Sequence, residues 1–226
     1  MKRLILISLL FSSFLPGCGR FYHVQVNGFQ NTQLPVPAQG TYTVMPIDGN
    51  TSDLAFQEYA SMVRKKMEER GYRYVNDESA ELAVFIAYGI DSGTTTVSSS
   101  TSPVYGQTGG GMSSYSGMTS SGQLYSGTIM TPSQYGVVGS QTSTSRHTAY
   151  KRKLLVDVVD YQTLRKERKT VSFWKGETDS TGSSNNLRQV MPALIEATFR
   201  SFGQNSTDQI MFTEDDAAIE KLRVVK

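Results

Sequence analysis

Ala80-Glu81-Leu82-Ala83-Val84-Phe85-Ile86-Ala87-Tyr88 decides the fold. The stretch is apolar at consecutive rather than alternate positions, which predicts a strand buried on both faces and central in its sheet. On its N-terminal side, Phe56, Tyr59, Val63 and Met67 recur at helical spacing, while Arg64, Lys65, Glu68 and Glu69 face away. Asn50 to Asp53 supply N-cap candidates, and the helix runs to about Arg70 with Gly71 as its C-cap. Further out, Phe21 to Val26 alternates as an edge strand. Pro35 and Pro37 mark a link, and Thr41 to Ile47 reads as another strand.

On the C-terminal side, Leu154-Leu155-Val156-Asp157-Val158-Val159-Asp160 and Thr170 to Gly176 predict a hairpin closed by the polar turn Arg165 to Lys169. Asn185 or Asn186 caps a second helix with apolar positions Leu187, Val190, Leu194, Ile195, Thr198 and Phe202, ended by Gly203. Pro192 implies that regular helix starts near Gln189 or that the first turns are kinked. Residues 204–226 read as a polar, poorly ordered tail with a short helix from Asp215 to Leu222. The expected class is α+β, a single mixed or antiparallel sheet with two helices packed on one face.

A long insert, residues 92–146, interrupts this pattern. From Ser92 to Ser145 there is no Asp, Glu, Lys or Arg, and Ser, Thr, Gly and Tyr dominate. Tyr105, Tyr115, Tyr125 and Tyr135 fall ten residues apart, each followed by Gly or Ser-Gly, as a degenerate decad. Three readings fit. The default for this composition is a flexible loop. A second is an extended hairpin pairing Thr94–Thr101 with Val137–Thr148, since Thr and Ser suit strands exposed on both faces. A third is a binding or self-associating segment, with tyrosines that stack on sugars or other aromatics.

The chain opens on Met1-Lys2-Arg3, an apolar run from Leu4 to Phe14, then Leu15-Pro16-Gly17-Cys18. Charge, length and small residues match a signal peptide, and the run is too short to span a bilayer. Cys18 is the one cysteine, and Leu15, Gly17 and Cys18 resemble the lipobox of bacterial lipoproteins. Cleavage between Gly17 and Cys18 would leave Cys18 carrying diacylglycerol, and further acylation such as palmitate would make the anchor durable. Gly19 in place of an inner-membrane retention aspartate favours the outer membrane, facing the periplasm. The expected layout is therefore a signal peptide (1–17), a lipidated N-terminus with edge strand and linker (18–40), an α+β domain (41–203) and the tail (204–226).

Chemistry is sparse by contrast. Loss of Lys2 and Arg3 from 22 basic residues leaves a mature chain balanced against 20 acidic ones. Neutrality argues against nucleic acid as a partner, because phosphate binding needs a basic stripe. His23 and His147 have no ligand-spaced acidic neighbours, and Gly109-Gly110-Gly111 lacks the context of a phosphate loop, so no metal or cofactor is expected. Asp157 and Asp160 are the carboxylates a hydrolase would use. Lys151, Arg152 and Lys153, with Arg165 to Lys169, form basic clusters that suit a solvated strand end or contact with anionic envelope polymers.

Thr41-Tyr42-Thr43-Val44-Met45-Pro46, the helix ending at Gly71, Glu81-Leu82-Ala83-Val84, and the hairpin from Leu155 to Phe173-Trp174-Lys175-Gly176 occur in that order before a closing helix. Together they resemble the bacterial lipoprotein family known as domain of unknown function 4136, over roughly Phe21 to Phe202. That resemblance implies a small envelope-tethered module without an assigned activity, and it supplies no catalytic residues. The reading that follows is a non-enzymatic, lipid-anchored binding or scaffold module. Membrane lipid and an envelope protein or glycan are its partners, with Tyr105, Tyr115, Tyr125, Tyr135, Lys151, Arg152 and Lys153 as candidate contacts. A wall-modifying hydrolase and a self-associating surface protein are the alternatives.

Overall fold

The computed structural model describes residues 21–224, so Gly17 and Cys18 of the expected anchor lie outside it. The chain forms two units, Thr95–Thr148 and the remainder.

The larger unit is an α+β fold on one mixed sheet. Its strands are β1 (Phe21–Gln30), β2 (Thr41–Pro46), β3 (Arg73–Tyr74), β4 (Leu82–Ile90), the second half of β8 (Gln134–Asp160), β9 (Ser172–Gly182) and β10 (Ser206–Thr213). They run in the order β10-β1-β9-β8-β4-β2-β3. β2 lies parallel to β3 and β4, while the remaining pairs are antiparallel. The apolar stretch from Leu82 is central as its pattern predicts, flanked by β8 and β2.

Strand alternation sorts the side chains. Val24, Val26, Val44, Val84, Ile86, Leu154, Val156, Val158 and Trp174 are buried in the core. They meet helices α1 (Leu54–Glu68) and α3 (Leu187–Arg200), whose buried residues include Met62, Val63, Met67, Leu194, Ile195 and Phe199. Of the four N-cap candidates Asp53 takes the role, its carboxylate accepting from the Ala55 and Phe56 N–H groups. A hydrogen bond donated by the Tyr88 hydroxyl at 2.8 Å joins those backbone bonds in holding the Asp53 carboxyl below its usual range. Gly71, at φ 86°, supplies the left-handed turn that stops α1.

Trp174 and Gly176 point to the same side of β9, two residues apart. The fully buried indole covers the glycine and donates from Nε1 to the Gln204 carbonyl at 3.1 Å. The Trp-x-Gly pair is thus a packing device.

Four local expectations need correction. β1 is not an edge strand, because β10 covers its outer side along eight residue pairs from Phe21↔Thr213 to Gly28↔Ser206. The segment read as a polar tail is ordered and supplies β10, while its expected short helix forms as α4 (Ala217–Arg223); together they bury Phe212, Ile219 and Leu222. The connection between β8 and β9 holds a short helix, α2 (Tyr161–Glu167), capped by Asp160 and stopped at Arg168 with φ 56°. Finally, α3 begins at Leu187 and carries Pro192 in its interior. The proline gives up one backbone hydrogen bond in an element otherwise buried from Val190 to Phe199.

The smaller unit is made of strands rather than the flexible loop that its composition suggests by default. β5 (Thr94–Thr108) pairs with the first half of β8, and β6 (Gly111–Met118) pairs with β7 (Leu124–Thr131) as a separate two-stranded sheet. The Thr95 and Thr148 hydroxyls are hydrogen-bonded at 2.9 Å and those of Thr101 and Thr142 at 3.0 Å, the pairing that the hairpin reading predicts.

Candidate functional site

The four decad tyrosines separate into two sets. Tyr115 on β6 and Tyr125 on β7 lie together, ring centroids 6.5 Å apart in an edge-on arrangement. Tyr105 on β5 and Tyr135 on β8 make no ring contact among the described residues, and Tyr135 is 76% exposed.

The β6–β7 register explains the repeat. Tyr115 is paired with Gly127, and Gly117 with Tyr125. A Cβ at Gly127 would lie 2.5 Å from Tyr115 Cζ, and one at Gly117 would lie 2.6 Å from Tyr125 Cζ. Each ring therefore covers the glycine across from it, which needs Tyr and Gly two residues apart on both strands. An aromatic laid over a cross-strand glycine restores the apolar cover that the glycine lacks.

The opposite side of this hairpin carries two apolar cross-strand pairs, Met112–Met130 and Met118–Leu124. Their exposures are high: 71% and 75% for the first pair, 64% and 79% for the second. Both faces of β6–β7 thus present apolar side chains to solvent. Neither strand contains a charge or a proline, the devices that ordinarily blunt an open strand edge.

Elsewhere the candidate residues do not form one site. Strand alternation turns Lys151 and Lys153 outward, with Lys151 Nζ 3.6 Å from Asp179 Oδ2. Arg152, on the other side of β8, is 2% exposed and does not belong to a solvated basic cluster. The triplet is divided by the two-residue period of the strand. Its signal is legible in the sequence, since counting back by twos from Val156 and Leu154 places Arg152 on the core side.

Asp157 and Asp160 also face apart. Burial pushes the Asp157 carboxyl above its usual range against the opposing influence of Ser172 and Lys175, and its Oδ1 has no hydrogen-bond partner. Burial acts the same way on Asp160. There, hydrogen bonds from the Thr163 N–H at 2.9 Å and the Thr163 hydroxyl at 2.7 Å outweigh it and hold the carboxyl low. One carboxylate is a half-buried strand residue and the other a helix cap. His23 lies on β1 and His147 on the part of β8 that pairs with β5. Among the described residues no helix is long and apolar enough to cross a membrane.

The domain of unknown function DUF4136 matches residues 30–202. The chain belongs to the DUF4136 family. The match starts at the end of β1 and stops before β10, so the pairing of β1 with β10 lies outside it. No curated protein matches this DUF4136 member. Among solved structures, a PDZ domain protein from Parabacteroides distasonis is similar over 92% of this chain at 8% identity, with a TM-score of 0.38. This chain covers 43% of that one, and a likeness at this level carries no argument.

Proposed function

We propose that this chain is a lipid-anchored, non-enzymatic binding module of the bacterial envelope. In this reading Cys18 bears the lipid at the periplasmic face of the outer membrane and the α+β unit is a scaffold. The β6–β7 hairpin binds an extended, uncharged segment of a partner by strand addition. The observation that carries it is the hairpin itself, two strands with open uncharged edges and apolar pairs exposed on both faces. A lone hairpin is marginally stable in water, so an added strand stabilises it as well as burying apolar surface. A second copy of the same hairpin has the matching chemistry, which supports self-association as a second reading.

In-cell photo-crosslinking tests this. A photoreactive residue at Met130 should give discrete adducts, whereas one at exposed Lys169 should give none. Adduct mass separates a second copy from another envelope protein. Absence of adducts from both Met130 and Met112 would sink the binding role of the hairpin. Anchoring is checked separately: Cys18→Ser should move the protein from the membrane to the soluble fraction, and continued membrane fractionation would count against the lipid.

A further inference from the structure

Arg152 is a buried cation whose protein partners are neutral. Its Nε donates to the Ser180 carbonyl at 3.3 Å, Nη1 to the Ser184 carbonyl at 3.1 Å and Nη2 to the Ser180 hydroxyl at 3.0 Å. Among the described residues no carboxylate forms an ion pair with it. A guanidinium has five N–H donors, so two remain after these three bonds. The Asp91 carboxylate acts on Arg152 only from beyond ion-pair distance, and a positive charge withdrawn from water without a close partner favours an anion.

Arg152 lines a recess of about 470 Å³ with Phe21, the buried Tyr22, Gly182, Ser183, Ser184 and Gln189. Gly182 belongs to its construction, since a Cβ there would lie 2.9 Å from Arg152 Nη2 and displace the guanidinium. Gln189 stands in the first turn of α3, a helix of 14 residues whose N-terminal end carries a partial positive charge. Its side chain donates to the Glu214 carboxylate at 3.0 Å and accepts from the Ser184 hydroxyl at 3.1 Å. No Asp or Glu lines the recess.

We infer that this recess is a binding site for a phosphate oxyanion, held by Arg152 with the Ser183 hydroxyl beside it. Guanidinium donors and a hydroxyl, near the positive end of a helix dipole, suit a phosphate. Two sources share that chemistry, free phosphate and the headgroup of an anionic phospholipid. Phe21, at the rim, is three positions after Cys18 in the sequence, which puts a membrane headgroup within reach if the proposed anchor is present. The headgroup source rests on that anchor, whereas the recess does not.

The test is calorimetric titration of the full chain in neutral detergent with inorganic phosphate and, separately, with short-chain phosphatidylglycerol. The wild-type chain should bind phosphate saturably. Arg152→Met and Ser183→Glu, which respectively remove the cation and supply it with a carboxylate, should each weaken binding about tenfold or more. Ser183→Glu should also raise the thermal midpoint without phosphate, which keeps the test decisive should Arg152→Met misfold. Binding of phosphatidylglycerol as well as phosphate assigns a headgroup, and binding of phosphate alone assigns the free ion. No saturable binding of either, or undiminished binding by both variants, overturns the site.

Discussion

Tyr115 lies across the β6–β7 pair from Gly127, so close that the glycine has no room for a Cβ beneath the ring. The relationship is repeated in reverse by Tyr125 and Gly117, making the hairpin self-complementary about its own centre.

A glycine under an aromatic face has strongly upfield-shifted α-protons. Tyr115→Ala should return those of Gly127 to ordinary positions while leaving Gly117, under Tyr125, displaced. The substitution should cost about 0.2–1 kcal/mol of cross-strand stabilisation, felt within the hairpin only. Unshifted Gly127 protons in the wild-type NMR spectrum would refute the pairing.

Gly176 tests the core counterpart. A Cβ there would meet Thr198 Cγ2 at 2.8 Å and Trp174 Cζ2 at 3.0 Å. Gly176→Ala should therefore destabilise by about 1–3 kcal/mol through overpacking. Urea unfolding followed by the fluorescence of Trp174, the only tryptophan, measures it. An unchanged midpoint would show that the indole is not packed on the glycine.

Asp157 gives a pH signature with a definite sign. Its folded carboxyl titrates above the ordinary value, so the folded state binds the proton more tightly than the unfolded chain does. Stability from this group is present below the unfolded value near 3.8 and is lost as pH rises through the raised folded value. Asp157→Asn should therefore raise the thermal midpoint at neutral pH, by about 2–4 °C per kcal/mol relieved. The gain should vanish as pH falls toward the unfolded value. A gain independent of pH would disprove the titration.

Phe212 decides whether the C-terminal segment is part of the fold. It is 1% exposed, with the Arg200 guanidinium 4.7 Å from its ring centroid. Phe212→Ala should cost about 3–5 kcal/mol in the unfolding of the whole unit. A loss below about 1 kcal/mol, the ordinary cost of a surface change, would make β10 and α4 a dispensable tail after all.

The parts legible in the sequence are those in which hydrophobic period and end signals agree. Phe56, Tyr59, Val63 and Met67 mark one helix stripe, and Asp53 and Gly71 bracket it. Leu82 to Ile86 reads as an interior strand for the same reason. β10 is hidden because Ser206-Thr207-Asp208-Gln209 is polar throughout, and its pairing with β1 depends on chain ends far apart in sequence. α2 is hidden in a charged run whose helix depends on the Asp160 cap, not on an apolar stripe. In the insert, composition points to a loop, and what overrides it is the Tyr-to-Gly spacing, which acquires meaning only once two strands are set side by side. Arg152 is misplaced by grouping it with its neighbours in sequence, because a strand groups alternate residues.

The placement of β1 between β9 and β10 has a mechanical consequence. If the chain is tethered through residues preceding Phe21, any pull from the membrane is applied along β1. Antiparallel hydrogen bonds run perpendicular to the strand and flank β1 on both sides, so such a load shears two ladders together instead of peeling one bond at a time. In such a chain the strand next to the tether would be clamped on one side by β10, and tension would be resisted by two ladders at once.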